Sequence, residues 1–439
     1  METKPTIVPE AKQVGEVRAR WGWTEPVVWT ERMLTALEAG VKGGIWFSLI
    51  DKVYKPGNLR AAFAKVKANQ GAAGVDHQTI EMFEANLDTN LSKVAQQLAD
   101  GSYCPQAVRR HWIAKPGSSE KRPLGIPTVR DRVVQTALRN VMEPIFERDF
   151  AEHSYGFRPE RGCKDALRRV DYLLKAGYTW VVDADRQSYF DTIPKQKQLE
   201  RVAEKVADSR VLELVEAMLQ QEVMEGLRHW TPEAGTPQGA VISPLLSNIY
   251  LDPLDHEMAR IGYEMVRYAD DLVILCRSEA EARAALAKVQ AWTAAAGLRL
   301  HPEKTRIVDA TERGGFDFLG YHFERGYRWP RRKSVAKLKA TIRSKTRRTH
   351  GHSLRTTIET VNQTLTGWFG YFKHSHKTAF PPLDKWIRMR LRSILRQRRK
   401  RKGRARGTDN VRWPNAFFAA QGLLSLSAAR AQLCQSSRR

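Results

Sequence analysis

Apolar residues recur along this chain with two different periods, which predicts a mixture of helices and strands. Helical spacing indicates helices over 58–68, 79–99, 133–150, 164–174, 241–250, 278–296, 334–348, 353–366 and 383–401. Short runs rich in β-branched and aromatic residues indicate strands over 111–115, 121–126, 178–185, 263–267, 272–276, 298–300, 305–308 and 316–323. The helix over 133–150 is expected to bury one apolar face.

The stretch around Asp270 and Asp271 combines this pattern with possible chemistry. A loosely alternating run, 262–267, precedes the two aspartates, and a continuous apolar run, 272–276, follows them. The pattern predicts a hairpin with both carboxylates at its tip. Adjacent like charges are costly there unless a cation lies between them. The simpler alternative is a surface turn, in which aspartate is common.

A second strand-like run, 178–185, also ends in carboxylates, at Asp183 and Asp185. Phosphoryl transfer to a nucleotide uses two divalent ions roughly 4 Å apart. Mg²⁺ prefers carboxylate oxygens and keeps water and substrate phosphates as its other ligands. One aspartate at this strand end and the Asp270–Asp271 pair on a neighbouring hairpin could supply such a site.

Charge is distributed very unevenly along the 439 residues. The whole chain carries a formal charge of +25, and residues 325–408 contain 26 lysines and arginines against two acids, Glu359 and Asp384. This stretch therefore accounts for +24 of the total, which favours a nucleic-acid surface over an ordinary solvated face of mixed sign. An anionic membrane is the competing partner. Aromatic residues that could form an apolar core are interspersed at Trp329, Trp368, Phe369, Tyr371, Phe372 and Trp386.

Several classes of protein are disfavoured by composition. No apolar stretch approaches the roughly 20 residues of a membrane helix, and the N-terminus lacks a signal-peptide pattern. The cysteines at 104, 163, 276 and 434 are far apart, which favours neither a disulfide framework nor a zinc site. We therefore expect an intracellular protein, cytoplasmic in a bacterium and possibly associated with the nucleoid.

Seven short motifs occur in a fixed order between residue 71 and residue 321. They are Gly71-Ala72-Ala73-Gly74-Val75-Asp76, Lys121-Arg122-Pro123-Leu124-Gly125-Ile126-Pro127, Ser154-Tyr155-Gly156-Phe157-Arg158-Pro159, Thr236-Pro237-Gln238-Gly239, Tyr268-Ala269-Asp270-Asp271, His301-Pro302-Glu303-Lys304-Thr305 and Phe318-Leu319-Gly320-Tyr321. Each motif is weak alone, and the ordered set is specific. With these motifs, from about residue 55 to its end, the chain resembles a bacterial group II intron-encoded reverse transcriptase and maturase.

The resemblance implies a right-hand polymerase fold, with α/β fingers and palm followed by a basic helical thumb. It implies an N-terminal extension over 1–54, fingers and palm over 55–325, a thumb and maturase domain over 326–408, and a short DNA-binding type of tail over 409–439. Trp21, Trp23 and Trp29 could form a small helical cap in the extension. No paired cysteines or histidine cluster follows residue 408, so an HNH nuclease domain is not expected.

The activity implied is RNA-directed DNA synthesis with two Mg²⁺ ions, for which Mn²⁺ is a possible substitute, held by Asp185, Asp270 and Asp271. The match to the family selects Asp185 over Asp183. The sequence departs from the family at Arg186 and Gln187, where relatives carry an aliphatic and then a basic residue. The intact set of aspartates argues against a splicing factor with little polymerase activity.

The implied partners are dNTPs, an RNA template with a DNA primer, the host group II intron RNA, and target DNA during retrohoming, and no membrane. A reverse transcriptase of this lineage adapted to another role is an alternative. An RNA-binding splicing factor with little polymerase activity is a second. The oligomeric state is left open.

Nucleotide contacts are also implied by the resemblance. Cations on the predicted hairpin and in a later turn would face the triphosphate, an aromatic ring would lie under the sugar and block a 2′-hydroxyl, and the loop before the 241–250 helix would hold template and nucleotide. Solvent-facing cations, a core phenylalanine and a plain loop are the alternatives. The residues concerned are Lys115, Arg122, Phe190, Gln238, Gly239 and Lys304.

Nucleic-acid contacts are expected from arginines and lysines in two places. Arg158 lies in the loop that the family places beside template and nucleotide, with a packed structural arginine as the alternative. The segment 388–406 contains 11 basic residues and no acid. The predicted contacts within it are Arg388, Arg392, Arg398, Arg399, Lys400 and Arg401.

Overall fold

The computed structural model describes residues 14–114, 121–184, 189–235, 239–349, 351–401, 403 and 405–436. These residues form two compact units. The first contains residues 14–114, 121–178 and 182–307, and the second contains 179–181 and 308–436. Among the described residues, no helix is long and apolar enough to cross a membrane.

The described elements before residue 310 are mostly helical, with strands at five places along the chain. The helices are α1 (Val14–Arg20), α2 (Glu31–Ala39), α3 (Ile50–Val53), α4 (Pro56–Asn69), α5 (Ile80–Glu84), α6 (Leu87–Asp100), α7 (Val129–Glu147), α8 (Cys163–Lys175), α9 (Tyr189–Thr192), α10 (Lys195–Ala203), α11 (Ser209–Leu219), α12 (Ser243–Arg260) and α13 (Glu279–Ala295). The strands are β1 (Val108–Ala114), β2 (Lys121–Ile126), β3 (Trp180–Ala184), β4 (Val223–Glu225), β5 (Arg228–Trp230), β6 (Glu264–Tyr268), β7 (Asp271–Cys276) and β8 (Arg306–Asp309).

Two four-stranded sheets are built from these strands, in the orders β2-β1-β4-β5 and β6-β7-β3-β8. Strands β1 and β2 are antiparallel, with Arg109 opposite Ile126 and Ala114 opposite Lys121. Strands β6 and β7 form the hairpin that the pattern around the two aspartates predicts. Both hairpin predictions are confirmed.

Helix α7 lies at the centre of the first unit rather than at its surface. It buries 16 of its 19 residues, including the polar Asp131, Gln135 and Asn140. These polar groups are hydrogen-bonded: Tyr103 donates to Asp131 at 2.7 Å, and the Val241 amide donates to Gln135 at 2.7 Å. The prediction that this helix buries one face is therefore wrong, because neighbouring elements supply partners for its polar side as well.

The N-terminal tryptophans belong to the main core instead of a separate cap. Trp29 is completely buried in the same apolar cluster as α7, and its indole N–H donates to the Asn140 carbonyl at 2.9 Å. Trp21 is buried in that cluster too. Within the described residues, positions on both sides of residue 54 belong to the first unit, and the boundary there stays a prediction.

The second unit has a small sheet followed by helices. Its sheet has the order β11-β10-β9, and tight antiparallel pairing joins the strands. The elements are β9 (Phe316–Phe318), β10 (Tyr321–Glu324), β11 (Tyr327–Pro330), α14 (Arg332–Lys345), α15 (Leu354–Phe372), α16 (Pro381–Arg398), α17 (Gly407–Arg412), α18 (Asn415–Ala420) and α19 (Leu426–Ser436). The three predicted basic helices are confirmed as α14, α15 and α16.

The segment after residue 406 is fastened to α16 by buried polar contacts. Asp384 accepts the Leu426 amide at 2.9 Å at the start of α19, and Arg396 donates to Asp409 at 3.0 Å. Trp413 packs in the apolar cluster that α14, α15 and α16 share. Among the described residues, the two compact units divide after residue 307, and the domain boundaries at 325 and 408 stay predictions.

Two shorter predictions, one of a helix and one of a strand, are wrong. The helix predicted over 79–99 is two helices, α5 and α6, because Asn86 adopts a non-helical φ of −126° and ψ of 39° before α6 begins. Residues 298–300 form no strand, whereas the strand predicted at 305–308 is confirmed as β8. Ser278 caps α13 as predicted, since its side chain accepts the Glu281 amide at 3.2 Å.

Candidate active site and nucleic-acid surfaces

Asp270 and Asp271 lie at the tip of the β6–β7 hairpin. Tyr268 is opposite Asp271, so a two-residue turn, Ala269-Asp270, connects the strands. Ala269 has a positive φ of 57°, a conformation that costs an L-residue on the order of 1 kcal/mol and persists where the surroundings enforce it. Asp270 is half-buried and Asp271 is exposed, on strands whose interior residues are buried. The hairpin thus presents two adjacent carboxylates from a rigid base.

Arg267, on β6, holds this turn from inside the protein. Its guanidinium is fully buried, and its Nε donates to Asp255 of α12 at 2.8 Å. Its Nη1 donates to Asn248 and to the Ala269 carbonyl, both at 3.0 Å. Burial alone lowers the pKa of Arg267, but the Asp255 carboxylate outweighs this effect and raises it, so the side chain stays charged. The ion pair links α12 to the backbone of the turn.

The loop over 153–159 is attached to the same hairpin. The Arg267 amide donates to the His153 carbonyl at 3.0 Å, and the Tyr155 amide donates to the Arg267 carbonyl at 2.9 Å. Asn248 donates to the Gly156 carbonyl at 2.8 Å. A Cβ on Gly156 would lie 2.8 Å from the Tyr268 carbonyl carbon and 2.9 Å from the Ala269 Cα. Glycine is therefore required where the loop meets the turn.

Arg158 is not a nucleic-acid contact, and that prediction is wrong. Its side chain is only 2% exposed and forms a bidentate ion pair with Glu147 at 2.7 Å. Its Nη1 donates to the carbonyls of Ala151 and Ser154 at 2.6 and 2.8 Å, and its Nη2 also reaches the Phe150 carbonyl at 3.5 Å. All five N–H donors are engaged, so Arg158 is the structural arginine of the loop.

The neighbouring Phe157 is the side chain that this loop exposes. It has a positive φ of 58°, unusual for a bulky residue, and is 44% exposed. Phe157 lines a cavity of about 500 Å³ whose wall also includes Lys65 of α4 and Arg132 and Arg139 of α7. The only sign of this exposure in the sequence was the position of Phe157 in the loop. Arg158 was predicted instead as the contact residue, because arginine is the usual choice for a phosphate contact.

Gly239 brings the loop before α12 against the β1–β2 hairpin. Its φ is 109°, and a Cβ there would lie 2.8 Å from Leu124 of β2 and closer still to the Gly125 carbonyl. Side chains two apart on a strand share a face, so exposed Arg122 projects on the same side of β2 as Leu124. The structure therefore brings the predicted residues Arg122 and Gly239 to one face of the hairpin.

Of the other predicted nucleotide contacts, Lys304 is the one whose side chain the structure describes. Lys304 is exposed in a turn, where its amide donates to the His301 carbonyl at 3.3 Å. Phe190 belongs to α9, but its side chain is outside the described structure. Lys115, Asp185 and Gln238 lie outside the described residues.

Asp183, the alternative to Asp185, forms an ion pair with Arg306 of β8 at 3.4 Å. Within the part of the chain that the structure describes, no group of three or more His, Cys, Asp or Glu could hold a metal ion. That part excludes Asp185. Asp270 and Asp271 offer the hard oxygen donors that divalent magnesium or manganese binds.

The basic stretch of the second unit is exposed at the end of α16. Arg398, Arg399, Lys400 and Arg401 are all exposed, as predicted for a phosphate-binding surface. Arg398 donates to the His352 carbonyl, and the Arg399 guanidinium lies 5.4 Å from the centre of the Trp413 ring. These contacts orient the cations and leave them at the surface.

Arg392 is buried instead, which contradicts its predicted role in nucleic-acid binding. Its Nε donates to the Trp413 carbonyl and its Nη2 to Asn415, both at 2.9 Å. Burial lowers the pKa of Arg392, and nearby Arg388 lowers it further. Arg392 therefore anchors the segment after α17, whereas Arg388 is half-buried beside it.

Comparison with known proteins assigns the chain in two parts. Residues 113–323 match the family described as "Reverse transcriptase (RNA-dependent DNA polymerase)", and residues 335–413 match "Group II intron, maturase-specific domain". The fold and the paired aspartates thus define a reverse transcriptase domain followed by a maturase-specific domain. Enzymes with the first domain generally use divalent metal ions.

Individual relatives agree with this assignment. Protein YkfC of Escherichia coli is 31% identical over 348 residues, which cover 70% of this chain and 86% of YkfC. The group II intron-encoded protein LtrA of Lactococcus lactis is 36% identical over 221 residues, 50% of this chain and 36% of LtrA. Nuclear intron maturase 4, mitochondrial, of Arabidopsis thaliana is 28% identical over 221 residues, 50% of this chain and 26% of that protein.

The chain belongs to the family of group II intron-encoded reverse transcriptases and maturases. It spans about a third of the length of LtrA and most of the length of YkfC.

Proposed function

We propose that the protein is an RNA-directed DNA polymerase that extends a DNA primer on an RNA template with dNTPs. The observation that carries the proposal is the Asp270–Asp271 pair at the tip of a hairpin whose turn is held by the buried Arg267. Nucleotidyl transfer requires carboxylates fixed in position, because a misplacement of about 1 Å can reduce the rate roughly 100-fold. The membership in a reverse transcriptase family supports this activity.

The cofactor that we propose is a pair of Mg²⁺ ions, or Mn²⁺ as a substitute, held by Asp185, Asp270 and Asp271. When bound, such ions would activate the primer 3′-hydroxyl and neutralise charge on the leaving phosphates. The ion pair between Asp183 and Arg306 supports Asp185 as the third ligand, since Asp183 already has a cationic partner.

The chain's own residues would bind and orient the incoming nucleotide. Arg122 and Lys304 are exposed cations that could hold the triphosphate, and Lys115 is proposed to act beside Arg122. Gly239 allows close approach of a backbone and a base to the β1–β2 hairpin, with Gln238 offering an amide.

Substitution of Asp270 by alanine tests the polymerase assignment. Primer extension should fall by several orders of magnitude, because one carboxylate fewer leaves the metal ions misplaced. The matched control is Asp88→Ala, which removes an exposed carboxylate of α6 in the same unit and should extend the primer like wild type. Wild-type extension by the Asp270 variant would contradict the assignment.

We also propose that the second unit binds the host intron RNA, promotes its splicing and so supports retrohoming into target DNA. The exposed Arg398, Arg399, Lys400 and Arg401 at the end of α16 support this role, as does the maturase-specific family match. Each phosphate neutralised should contribute roughly −0.9 to the slope of log affinity against log salt on a duplex, and about −0.7 on a single strand.

Changing these four residues together to alanine should flatten that slope and weaken splicing. Primer extension at saturating template should change much less, because the aspartates lie in the other unit. An unchanged slope of log affinity against log salt would show that the four residues do not bind RNA phosphates. A wild-type protein that extends primers and does not bind an intron RNA would favour a reverse transcriptase adapted to another role. A wild-type protein that binds an intron RNA and does not extend primers would favour a splicing factor with little polymerase activity.

A further inference from the structure

Three aromatic rings lie close together in the second unit. All three belong to segments that precede α16 in the sequence. Tyr327 and Trp329 belong to β11, and His376 precedes the short 3₁₀ turn Lys377–Ala379. The Tyr327 and His376 ring centres are 4.7 Å apart, those of Trp329 and His376 are 5.6 Å apart, and those of Tyr327 and Trp329 are 5.9 Å apart. We call Tyr327, Trp329 and His376 the aromatic cluster.

Hydrogen bonds hold two rings of the aromatic cluster, those of Trp329 and His376, and the Tyr327 ring packs against both of them. The His376 amide donates to the Arg328 carbonyl at 2.8 Å, which fixes the segment beside β11. The His376 Nδ1 lies 2.8 Å from the Thr378 hydroxyl, and the Trp329 indole N–H donates to the same hydroxyl at 3.3 Å. Because the rings are already ordered, a ligand that stacks on them pays little conformational entropy.

Tyr327 is the exposed member of the aromatic cluster, whereas Trp329 and His376 are half-buried. Tyr327 is 55% exposed, whereas Phe372 and Phe380 are buried in the unit's interior. Packing of the core therefore does not account for Tyr327. A solvent-exposed ring that packs against two hydrogen-bonded rings is typical of a recognition surface.

The charge around the aromatic cluster selects an anionic partner. Arg325 and Lys377 are exposed on either side of it in the sequence. The neighbouring acids Glu324 and Asp317 are both engaged by the His322 ring, at 3.2 and 2.8 Å. Cations beside exposed aromatic rings match a nucleotide, which combines a phosphate with a flat base.

We propose that the aromatic cluster is a stacking site for an unpaired base of RNA bound to the second unit. The proposal rests on the proposed RNA-binding function of that unit and adds a contact of a different physical kind. Stacking on a ring releases no counterions, so its contribution to affinity is independent of salt. A single base stacked on an aromatic ring typically changes affinity by about 5-fold to 100-fold.

The test compares full-length variants in binding a labelled single-stranded RNA over a range of salt concentrations. Tyr327→Ala should weaken binding about 5-fold to 100-fold at every salt concentration and leave the salt slope unchanged. Tyr327→Phe keeps the ring and should bind like wild type. The matched control is Tyr172→Ala, which removes a 61% exposed tyrosine from α8 of the first unit and should have no effect.

A second arm uses a strand of the same length and charge in which the bases are replaced by abasic sites. Tyr327→Ala and wild type should bind this strand equally, because no base is present to stack. Wild-type affinity of Tyr327→Ala for the RNA, or an equal loss for the abasic strand, would overturn the proposal while leaving RNA binding by the unit intact. A wild-type protein that binds neither strand would contradict the proposed function itself.

Discussion

A methyl group added at Gly156 should misplace the two aspartates without touching them. The new Cβ would lie 2.8 Å from the Tyr268 carbonyl carbon and closer still to the Ala269 amide nitrogen, and ordinary contacts of a Cβ begin at about 3.4 Å, so the backbones must separate by more than about 0.6 Å. The loop cannot simply move away, since the Tyr155 amide and the Gly156 carbonyl are both hydrogen-bonded to the site.

The expected magnitude follows from this displacement. A shift approaching 1 Å at a reacting centre can reduce the rate roughly 100-fold. Overpacking should in addition cost the folded state about 1–3 kcal/mol. The Gly156→Ala protein should therefore remain folded and lose most of its rate of nucleotide addition.

Single-turnover primer extension measures the rate, and a thermal melt shows that the variant is folded. Gly351→Ala is the control, since a Cβ at Gly351 would meet nothing within 4 Å. If Gly156→Ala adds nucleotides as fast as wild type, the loop does not set the position of the hairpin. If the rate falls only in proportion to the unfolded fraction, the effect is one of stability alone.

Three further substitutions test other parts of the structure. Arg267→Met should cost about 3–5 kcal/mol of stability because Asp255 remains buried without its partner, and Asp255→Leu in the same protein should restore most of the melting temperature. Arg158→Met should also lower the melting temperature, because it removes the ion pair with Glu147. It should not alter the salt dependence of RNA binding. A flatter slope of log affinity against log salt would show that Arg158 contacts a phosphate after all. Phe190→Ala should raise the incorporation of ribonucleotides relative to deoxyribonucleotides, and an unchanged ratio would mean that the ring serves packing only.

The features that the sequence predicts well are those determined by residues close together in the chain. The β6–β7 hairpin needs two strand-like runs and a short turn, and the cap of α13 needs Ser278 and Glu281, three residues apart. The same holds for the β1–β2 hairpin. Periodicity and turn chemistry are sufficient in these cases.

Predictions about individual arginines fail because exposure depends on the tertiary structure. Arg158 and Arg392 occur in sequence contexts that favour a phosphate contact, yet each is buried by partners that the sequence does not place beside it. Arg267 is also buried, and the sequence analysis did not identify it as a residue of the site. A charged residue inside a buried strand requires a buried partner, and Asn248 and Asp255, about two helical turns apart on α12, were the available signal.

The contacts between α16 and the segment that follows it also have a consequence for synthesis on the ribosome. Domains generally fold as units, beginning at the N-terminus while the chain is still growing. Asp384 and Arg396 on α16 find their buried partners in Leu426 and Asp409, which emerge later. The first unit can therefore complete its core during translation, whereas the second unit lacks these contacts of α16 until residue 426 has been made.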